Sequence, residues 1–266
     1  MAAIFNRHFI IMAYRIIPNH YAIKYVDEEL DSSIKLHSVT LDKCNFRCGF
    51  CNFSNRDKAD FKEYTSEEFE SKIKELIPIS KYFKFTGGEP TLNRHLDRDL
   101  QIVKKHGGTI FLDTNGSLPQ NLEPLMQANL IDVLGISFKG TSREIAVNVA
   151  NIKKPEFAWD NVLESIKIAS RYGIKTIVTL VVYKGVPLYN IDKLATLISE
   201  YNGVRLKINT IITVEHQDGR KYEKYPKHEL LDYMKQFVNS HSEWKNRITL
   251  VNTDSATSEN SAVIFL

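Results

Sequence analysis

Strand and helix patterns alternate along most of this chain, and no other feature restricts its possible folds as strongly. Short β-branched apolar runs are followed by stretches with apolar residues at helical spacing, in about six repeats. The predicted strands cover residues 35–41, 82–86, 109–112, 131–138, 175–183 and 204–212, and the predicted helices cover 65–76, 96–105, 122–128, 160–172 and 191–201. This alternation predicts a parallel sheet with right-handed crossovers. Because a complete barrel needs eight such units, we expect an α/β fold with an incomplete (β/α)6-type parallel barrel.

The same pattern divides the chain into three parts. Residues 35–214 contain the repeats and form the predicted core domain. Residues 1–34 form an N-terminal extension whose apolar start, interrupted by charge, favours a packed or interface segment over a signal peptide. After residue 214 the alternation weakens, which predicts a short C-terminal α/β cap and a polar tail. The cap and tail, residues 215–266, contain a predicted helix at 228–239 and a predicted strand at 248–251.

Composition and charge exclude several classes of protein. The net charge of +3 comes from 35 basic and 32 acidic residues spread along the chain, so nucleic-acid binding is not indicated. No apolar run is long enough to predict a membrane span. Three cysteines in 266 residues argue against a disulfide framework and indicate a reducing compartment, so we expect a cytoplasmic protein.

All three cysteines lie in one loop directly after the first predicted strand, at Cys44, Cys48 and Cys51. A single buried cysteine is usually a small apolar side chain, but packing does not explain three thiols this close together. Three thiolates can hold three irons of a [4Fe–4S] cluster, which needs four cysteines when the protein holds every iron. The remaining iron is then open to a small molecule. The alternative is a zinc site, and its fourth ligand would come from His8, His20 or His37.

A second motif strengthens the iron–sulfur interpretation. Phe50 precedes the last cysteine, and the second predicted strand ends in Phe85-Thr-Gly-Gly-Glu-Pro90. With the cysteine spacing, this combination resembles the radical S-adenosylmethionine (radical SAM) superfamily from about residue 35 to about residue 209. The glycines allow the backbone to approach a ligand closely. The resemblance implies that the cysteines are the metal ligands and that the cofactor contacts Phe50, Thr86, Gly87, Gly88 and Glu89.

The resemblance also implies the chemistry. The open iron would bind the amino and carboxylate groups of the methionyl moiety of S-adenosylmethionine. One electron passed to the sulfonium would break a C–S bond and release a 5′-deoxyadenosyl radical, with the protein orienting and shielding the reaction. A one-electron donor such as flavodoxin or ferredoxin is therefore an expected partner.

Two further strand ends resemble the activating enzymes of glycyl-radical enzymes, a group within that superfamily. The third predicted strand ends in Leu112-Asp-Thr-Asn-Gly116, and the fourth ends at Lys139. The resemblance implies that Asp113 and Asn115 contact the cofactor and that Lys139 is catalytic, pairing with the cofactor carboxylate. Ser137 stands where the group usually has an acid, which together with the turn aspartate matched by Asp113 helps to hold a monovalent cation beside the cofactor. That departure argues against a cation site here.

Several positions leave two interpretations open. Residues 179–183 and 207–209 fall where the superfamily lines the adenosine pocket, but packing accounts for them as well. Arg47 can tune the cluster potential or pair with a substrate acid, or it can be a solvated loop residue. Lys139 can likewise be a solvated surface lysine.

These features predict a minimal enzyme, because no cysteine remains for an auxiliary cluster. The main hypothesis is hydrogen-atom abstraction from a protein partner, a glycyl-radical enzyme, because of the turn at 113–116 and the open side of an incomplete barrel. The first alternative is a small molecule, a nucleotide-derived compound or a short peptide as substrate. The second, from a different class, is a non-catalytic iron–sulfur sensor or scaffold, for which a basic DNA-binding helix pair would be the sign.

Overall fold

The computed structural model describes residues 12–22, 33–51, 60–184, 186–211, 222–252 and 262–265. The strands are β1 (Met12–Ala22), β2 (Lys35–Leu41), β3 (Lys62–Tyr64), β4 (Tyr82–Gly87), β5 (Thr109–Thr114), β6 (Val133–Phe138), β7 (Lys175–Val182), β8 (Val204–Thr210), β9 (Ile248–Asn252) and β10 (Ala262–Phe265). The helices are α1 (Ser66–Leu76), α2 (Leu96–Lys105), α3 (Pro119–Gln127), α4 (Arg143–Ala150), α5 (Pro155–Ala158), α6 (Asp160–Arg171), α7 (Asn190–Ile198) and α8 (Lys227–Ser240). Short 3-10 helices cover Pro90–Leu92 and Ser242–Trp244.

The described strands form one sheet in the order β3-β1-β2-β4-β5-β6-β7-β8-β9-β10. Strands β2 and β4 to β9 run parallel to one another. Antiparallel pairings are confined to the two sides, with β1 and β3 on one side and β10 on the other. The predicted α/β fold with a mainly parallel sheet is therefore confirmed, and its carboxyl strand ends meet at one edge.

Elements outside the predicted core extend this sheet. The described part of the N-terminal segment is strand β1, which pairs with β2 and places Tyr14 opposite Leu41. Tyr14 is buried, and its hydroxyl donates a hydrogen bond to Asp99 and accepts one from Asn93. At the other side, β9 continues the parallel sheet beside β8. Most of the polar tail lies outside the described residues, and β10 follows it.

Side chains alternate between the two faces of the sheet. On β8, Leu206 and Ile208 are fully buried in the main core with helix residues such as Ile191, whereas Lys207 is only half-buried. We call the face opposite the helices the inner face. Its lower part is an apolar cluster of strand residues, built around Leu36, Phe111, Val133 and Ile177. Toward the carboxyl ends of β5 to β8 most inner-face side chains are polar and half-buried, namely Asp113, Ser137, Thr179, Lys207 and Asn209.

None of the helices in the described ranges has both the length and the hydropathy of a membrane span. Helices α4 and α5, which lie between the fourth and fifth strands of the parallel set, are absent from the sequence prediction. Their buried faces are made mainly of alanine, which gives a weak apolar periodicity. Both helices pack against the cysteine loop.

Candidate active site

The cysteine loop, residues 42–51, leaves the carboxyl end of β2 and is held by α4. Phe46 is buried against alanines of α4 and α5. The backbone N–H of Arg47 donates to the carbonyl of Ala150, at 2.9 Å. The Arg47 guanidinium folds back and donates to the carbonyl oxygens of Cys44 and Phe46, at 2.6 and 2.9 Å. Arg47 therefore braces the loop backbone that carries the thiols.

Lys139 lies close to the cysteine thiols. Burial raises the pKa of Cys44 to about 11 and also raises the pKa of Cys48. The Lys139 ammonium opposes both shifts, an electrostatic effect that weakens with distance. The half-buried Lys139 thus lies near enough to act on the thiols and is not a fully solvated surface residue, and its pairing with the cofactor carboxylate stays a prediction.

The donor set fits an iron–sulfur cluster better than a single metal ion. No three His, Cys, Asp or Glu side chains of the described residues converge on one point that could hold a metal. His37, a candidate zinc ligand, is buried with its Nε2 beside the carbonyl oxygens of Leu76 and Ser80, and His8 lies outside the described residues. In a cubane each thiolate binds a different iron. The three half-buried thiols therefore have no need to converge.

The Gly-Gly turn at the end of β4 packs directly beneath the cysteine loop. Gly87 has a left-handed φ of 108°, which favours glycine. A Cβ at Gly88 would lie only 2.0 Å from the carbonyl oxygen of Lys43. The N–H groups of Gly88 and Glu89 donate to the carbonyls of Leu41 and Lys43, at 2.8 and 2.6 Å. The glycines are thus needed because the turn packs closely against the backbone of residues 41–43. Their contact with a cofactor stays a prediction.

Glu89 joins this turn to the turn after β5. Its buried carboxylate accepts hydrogen bonds from the N–H and hydroxyl of Thr91, at 3.0 and 2.5 Å. It also accepts from the hydroxyl of Thr114 and the N–H of Asn115, both at 2.6 Å. Burial raises the pKa of Glu89, and these donors oppose that shift. The structure therefore uses Glu89 to fix two strand ends together.

Asn115 connects the same turn to the thiols. Its amide Nδ2 donates to Asn45 Oδ1 at 2.8 Å and lies 3.9 Å from Cys44 Sγ. Asn45 in turn donates to the hydroxyl of Ser117, at 2.8 Å. The sequence analysis did not identify Asn45 or Ser117 as site residues, although Asn45 is next to Cys44 and Ser117 is two residues after Asn115. Together they hold the cysteine loop against the turn after β5.

The other predicted residues lie on the inner face or near the loop. Asp113 pairs with Lys84 at 2.6 Å and lies over Gly135, where a Cβ would be 2.1 Å from the Asp113 carboxylate. Thr86 donates its hydroxyl to Asp113. Ser137 is two residues along β6 from Gly135, the register partner of Asp113, and lies beside Thr179. Asp113 therefore lies on the inner face within β5, whereas Asn115, two residues later, contacts the cysteine loop.

Phe50 belongs to an aromatic group beside the cysteine loop. Its ring centroid lies 5.9 Å from that of Tyr183 and 5.8 Å from that of Tyr222, and the two tyrosine rings are 5.0 Å apart. Edge-to-face contacts of this kind stabilise aromatic groups. The end of β7 therefore contributes to the site at Tyr183, and Tyr222 is a residue that no motif or spacing in the sequence singled out.

Replacement of Glu89 tests the connection between the two turns. In Glu89→Gln the side-chain NH2 faces hydrogen-bond donors, so we expect the free energy of unfolding to fall by about 2 kcal/mol. Urea unfolding monitored by circular dichroism measures this loss. The exposed Glu156→Gln is the control and should unfold like the wild type. An unchanged midpoint for Glu89→Gln would show that the carboxylate does not fix the turns.

The fold and this arrangement at the carboxyl strand ends define a partial barrel of the radical SAM type. The family model of the Radical SAM superfamily matches residues 38–198, more than half of the chain. The chain therefore belongs to the radical SAM superfamily. Enzymes of this superfamily bind a [4Fe–4S] cluster and S-adenosylmethionine and use an electron donor.

Particular relatives are named for action on a nucleotide. A probable GTP 3′,8-cyclase of Pyrobaculum aerophilum is 29% identical over 154 residues, which cover 57% of this chain and 49% of that protein. A GTP 3′,8-cyclase of Staphylococcus carnosus is 26% identical over 218 residues, 76% of this chain and 61% of the relative. The chain thus spans about half to three fifths of the length of these relatives.

The solved structures show the same fold. The structure of Streptococcus suis SuiB bound to S-adenosylmethionine matches with a TM-score of 0.63 and 18% identity. The match covers 79% of this chain and 48% of that one. It confirms the expected incomplete barrel.

Proposed function

We propose that this radical SAM enzyme holds its cluster through Cys44, Cys48 and Cys51 and abstracts a hydrogen atom from a small, nucleotide-derived molecule. The observation that carries the proposal is the inner face, which is polar and half-exposed beside the cysteine loop and closed below by an apolar cluster. A polar surface above an apolar floor suits a small ligand held by a few polar groups. When bound, the reduced cluster supplies the electron that converts S-adenosylmethionine into a 5′-deoxyadenosyl radical.

The residues of this chain position and protect the reactants. Lys139, close to the thiols, is suited to pair with the carboxylate of the cofactor's methionyl group. Asn115 and Asn45 keep the loop against the turn after β5, and Arg47 braces its backbone. The aromatic group at Phe50 adds an apolar wall that limits access of water. A reducing, cytoplasmic compartment suits half-buried free thiols, and flavodoxin or ferredoxin suits the role of electron donor.

A small-molecule substrate agrees better with the structure and the relatives than a glycyl-radical enzyme, which was the main hypothesis from the sequence. The two relatives described above are named for action on GTP, which supports the nucleotide alternative. Asp113, expected to help hold a cation in the activating-enzyme group, pairs here with the ammonium of Lys84. Ser137 cannot supply the second carboxylate. The features that suggested a glycyl-radical partner therefore form a different arrangement.

Deuterium transfer identifies the class of substrate. The anaerobically reconstituted protein is incubated with dithionite, S-adenosylmethionine and an extract of deuterium-grown cells, separated by ultrafiltration into small molecules and proteins. We expect the small-molecule fraction to place deuterium in 5′-deoxyadenosine, and GTP to be the first pure compound tested. Heat-treated protein is the control. Transfer only from the protein fraction, with a glycine-centred EPR signal, would overturn the proposal in favour of glycyl-radical activation.

A further inference from the structure

Two lysines from distant strands act on one carboxylate on the inner face, one by an ion pair and the other by its electrostatic effect. Lys84 of β4 pairs with Asp113 of β5 at 2.6 Å, and the Lys84 side chain is only 14% exposed. Lys207 of β8 acts electrostatically on both Asp113 and Lys84. Lys84 and Lys207 are far apart in sequence and stand on strands that are four places apart in the parallel sheet. The register aligns Lys84 with Lys175 of β7, four residues before Thr179, the partner of Lys207, so Lys207 lies nearer the carboxyl strand ends than Lys84.

The electrostatics of Lys84, Asp113 and Lys207 favour a second negative charge beside the two lysines. Burial and, next, the ammonium of Lys84 lower the pKa of Lys207 to about 8, against the opposing effect of Asp113. Burial by itself raises the pKa of Asp113, but Lys84 and Lys207 outweigh it, so that pKa is lowered. The positive charge on Lys207 is therefore destabilised where it stands. An anion placed beside it would be stabilised by both lysines in a poorly solvated position.

Hydroxyl groups surround Lys207 on the same face. Thr179 of β7 and Thr249 of β9 are its register partners, and Ser137 of β6 is the partner of Thr179. Partners in adjacent parallel strands point to the same face, so this row presents three hydroxyl donors with one ammonium. Ammonium and hydroxyl donors together are the groups that bind the oxygens of a carboxylate or a phosphate.

The row is placed below the expected position of the cofactor. Lys139, at the cysteine loop, is two residues beyond Ser137 along the chain, a separation of about 7 Å in an extended strand. A ligand held at the level of Lys207 would thus reach toward the cysteine loop without occupying the space beside Lys139. A substrate has to lie in this direction for its hydrogen atom to be abstracted.

We propose that Lys84 and Lys207, with the hydroxyls of the Ser137–Thr179–Thr249 row, form a subsite for an oxyanion of the substrate, either a carboxylate or a phosphate group. This inference rests on the proposed function, because it names the charged group by which the small molecule is held. Asp113 holds the Lys84 ammonium in an ion pair and acts electrostatically on Lys207. The substrate oxyanion would add a negative charge beside the Lys207 ammonium.

Calorimetric titration of the reconstituted holoprotein with S-adenosylmethionine present tests the subsite. The probes are inorganic phosphate, pyrophosphate and malonate. We expect at least one probe to bind, with an affinity at least tenfold weaker in Lys207→Met and largely recovered in Lys207→Arg. The exposed Lys245→Met is the matched control and should bind like the wild type. Binding of the phosphate probes alone identifies a phosphate group, and binding of malonate alone identifies a carboxylate.

A second measurement uses only the wild-type protein and is independent of how the variants fold. Acetylation of individual lysines by an N-hydroxysuccinimide ester is followed by mass spectrometry, with and without the probe that binds. We expect the probe to slow modification of Lys207 several-fold and to leave Lys245 unchanged. Equal rates at Lys207, or no binding of any probe to the wild type, would overturn the subsite.

The test of the anion subsite can fail independently of the test of the proposed function. Formation of 5′-deoxyadenosine from S-adenosylmethionine is measured in the same preparations. Cleavage without anion binding counts against the subsite alone. Anion binding without cleavage or deuterium transfer counts against the proposed reaction and leaves the subsite supported.

Discussion

Cys48→Ala is expected to abolish both cluster incorporation and formation of 5′-deoxyadenosine. The variant leaves two thiols, too few to hold a cubane that needs at least the three available here. The iron content after anaerobic reconstitution should fall from about four per chain to near zero, and the visible absorption shoulder should disappear. Iron analysis, absorption spectra and chromatography of the reaction products measure these changes.

The control for this variant comes from the same loop. Asp42 is exposed and precedes the cysteines, so Asp42→Ala should retain iron, absorption and cleavage of S-adenosylmethionine. Removal of a half-buried thiol costs little packing, and Cys48→Ala should unfold in urea near the wild-type midpoint. Turnover by Cys48→Ala at more than a trace would contradict the assignment of the three ligands. Zinc in oxygen-free wild-type protein would contradict the cluster itself.

Much of the fold was predictable because the signals are local. Apolar β-branched runs such as residues 175–182 and the capping box at Thr65 and Glu68 are set by nearby sequence. Strand β1 was not predictable in this way, because its pairing depends on the exposed edge of β2. Helices α4 and α5 were missed for a related reason, since the alanines that bury them give little periodicity. Their role is visible only where Phe46 packs against them.

The site likewise contains features that the local sequence predicts and contacts that it does not. The three cysteines, the Gly-Gly turn and Lys139 follow strands, and parallel topology brings such strand ends together. The contacts among them were not predictable, because the register between strands decides that Asp113 meets Lys84 instead of a cofactor cation. A signal was nevertheless present: Lys84 and Lys207 lie inside strands that are otherwise largely apolar, where a lysine is costly unless it is paired. Charged residues at such positions indicate an inner-face site.

Gly88→Ala is expected to be the most damaging single-methyl change near the site. The added Cβ would lie 2.0 Å from the carbonyl oxygen of Lys43 and 2.5 Å from its carbon. These are backbone atoms, so no side chain can move to relieve the overlap. We expect the variant to lose about 3 kcal/mol of unfolding free energy and most of its cluster, because the start of the cysteine loop must shift.

A second glycine separates this effect from the general cost of replacing glycine. Gly107 has a φ of 78°, and beyond its chain neighbours no atom of the described residues comes within 4 Å of the position that a Cβ would take. Gly107→Ala therefore meets only backbone strain, worth about 1 kcal/mol. Gly107→Ala should bind a full complement of iron, whereas Gly88→Ala should not. Urea unfolding and iron analysis of both variants measure the difference. If Gly88→Ala kept its cluster and its stability, the turn would not support the cysteine loop, and its glycines would be explained by contact with the cofactor alone.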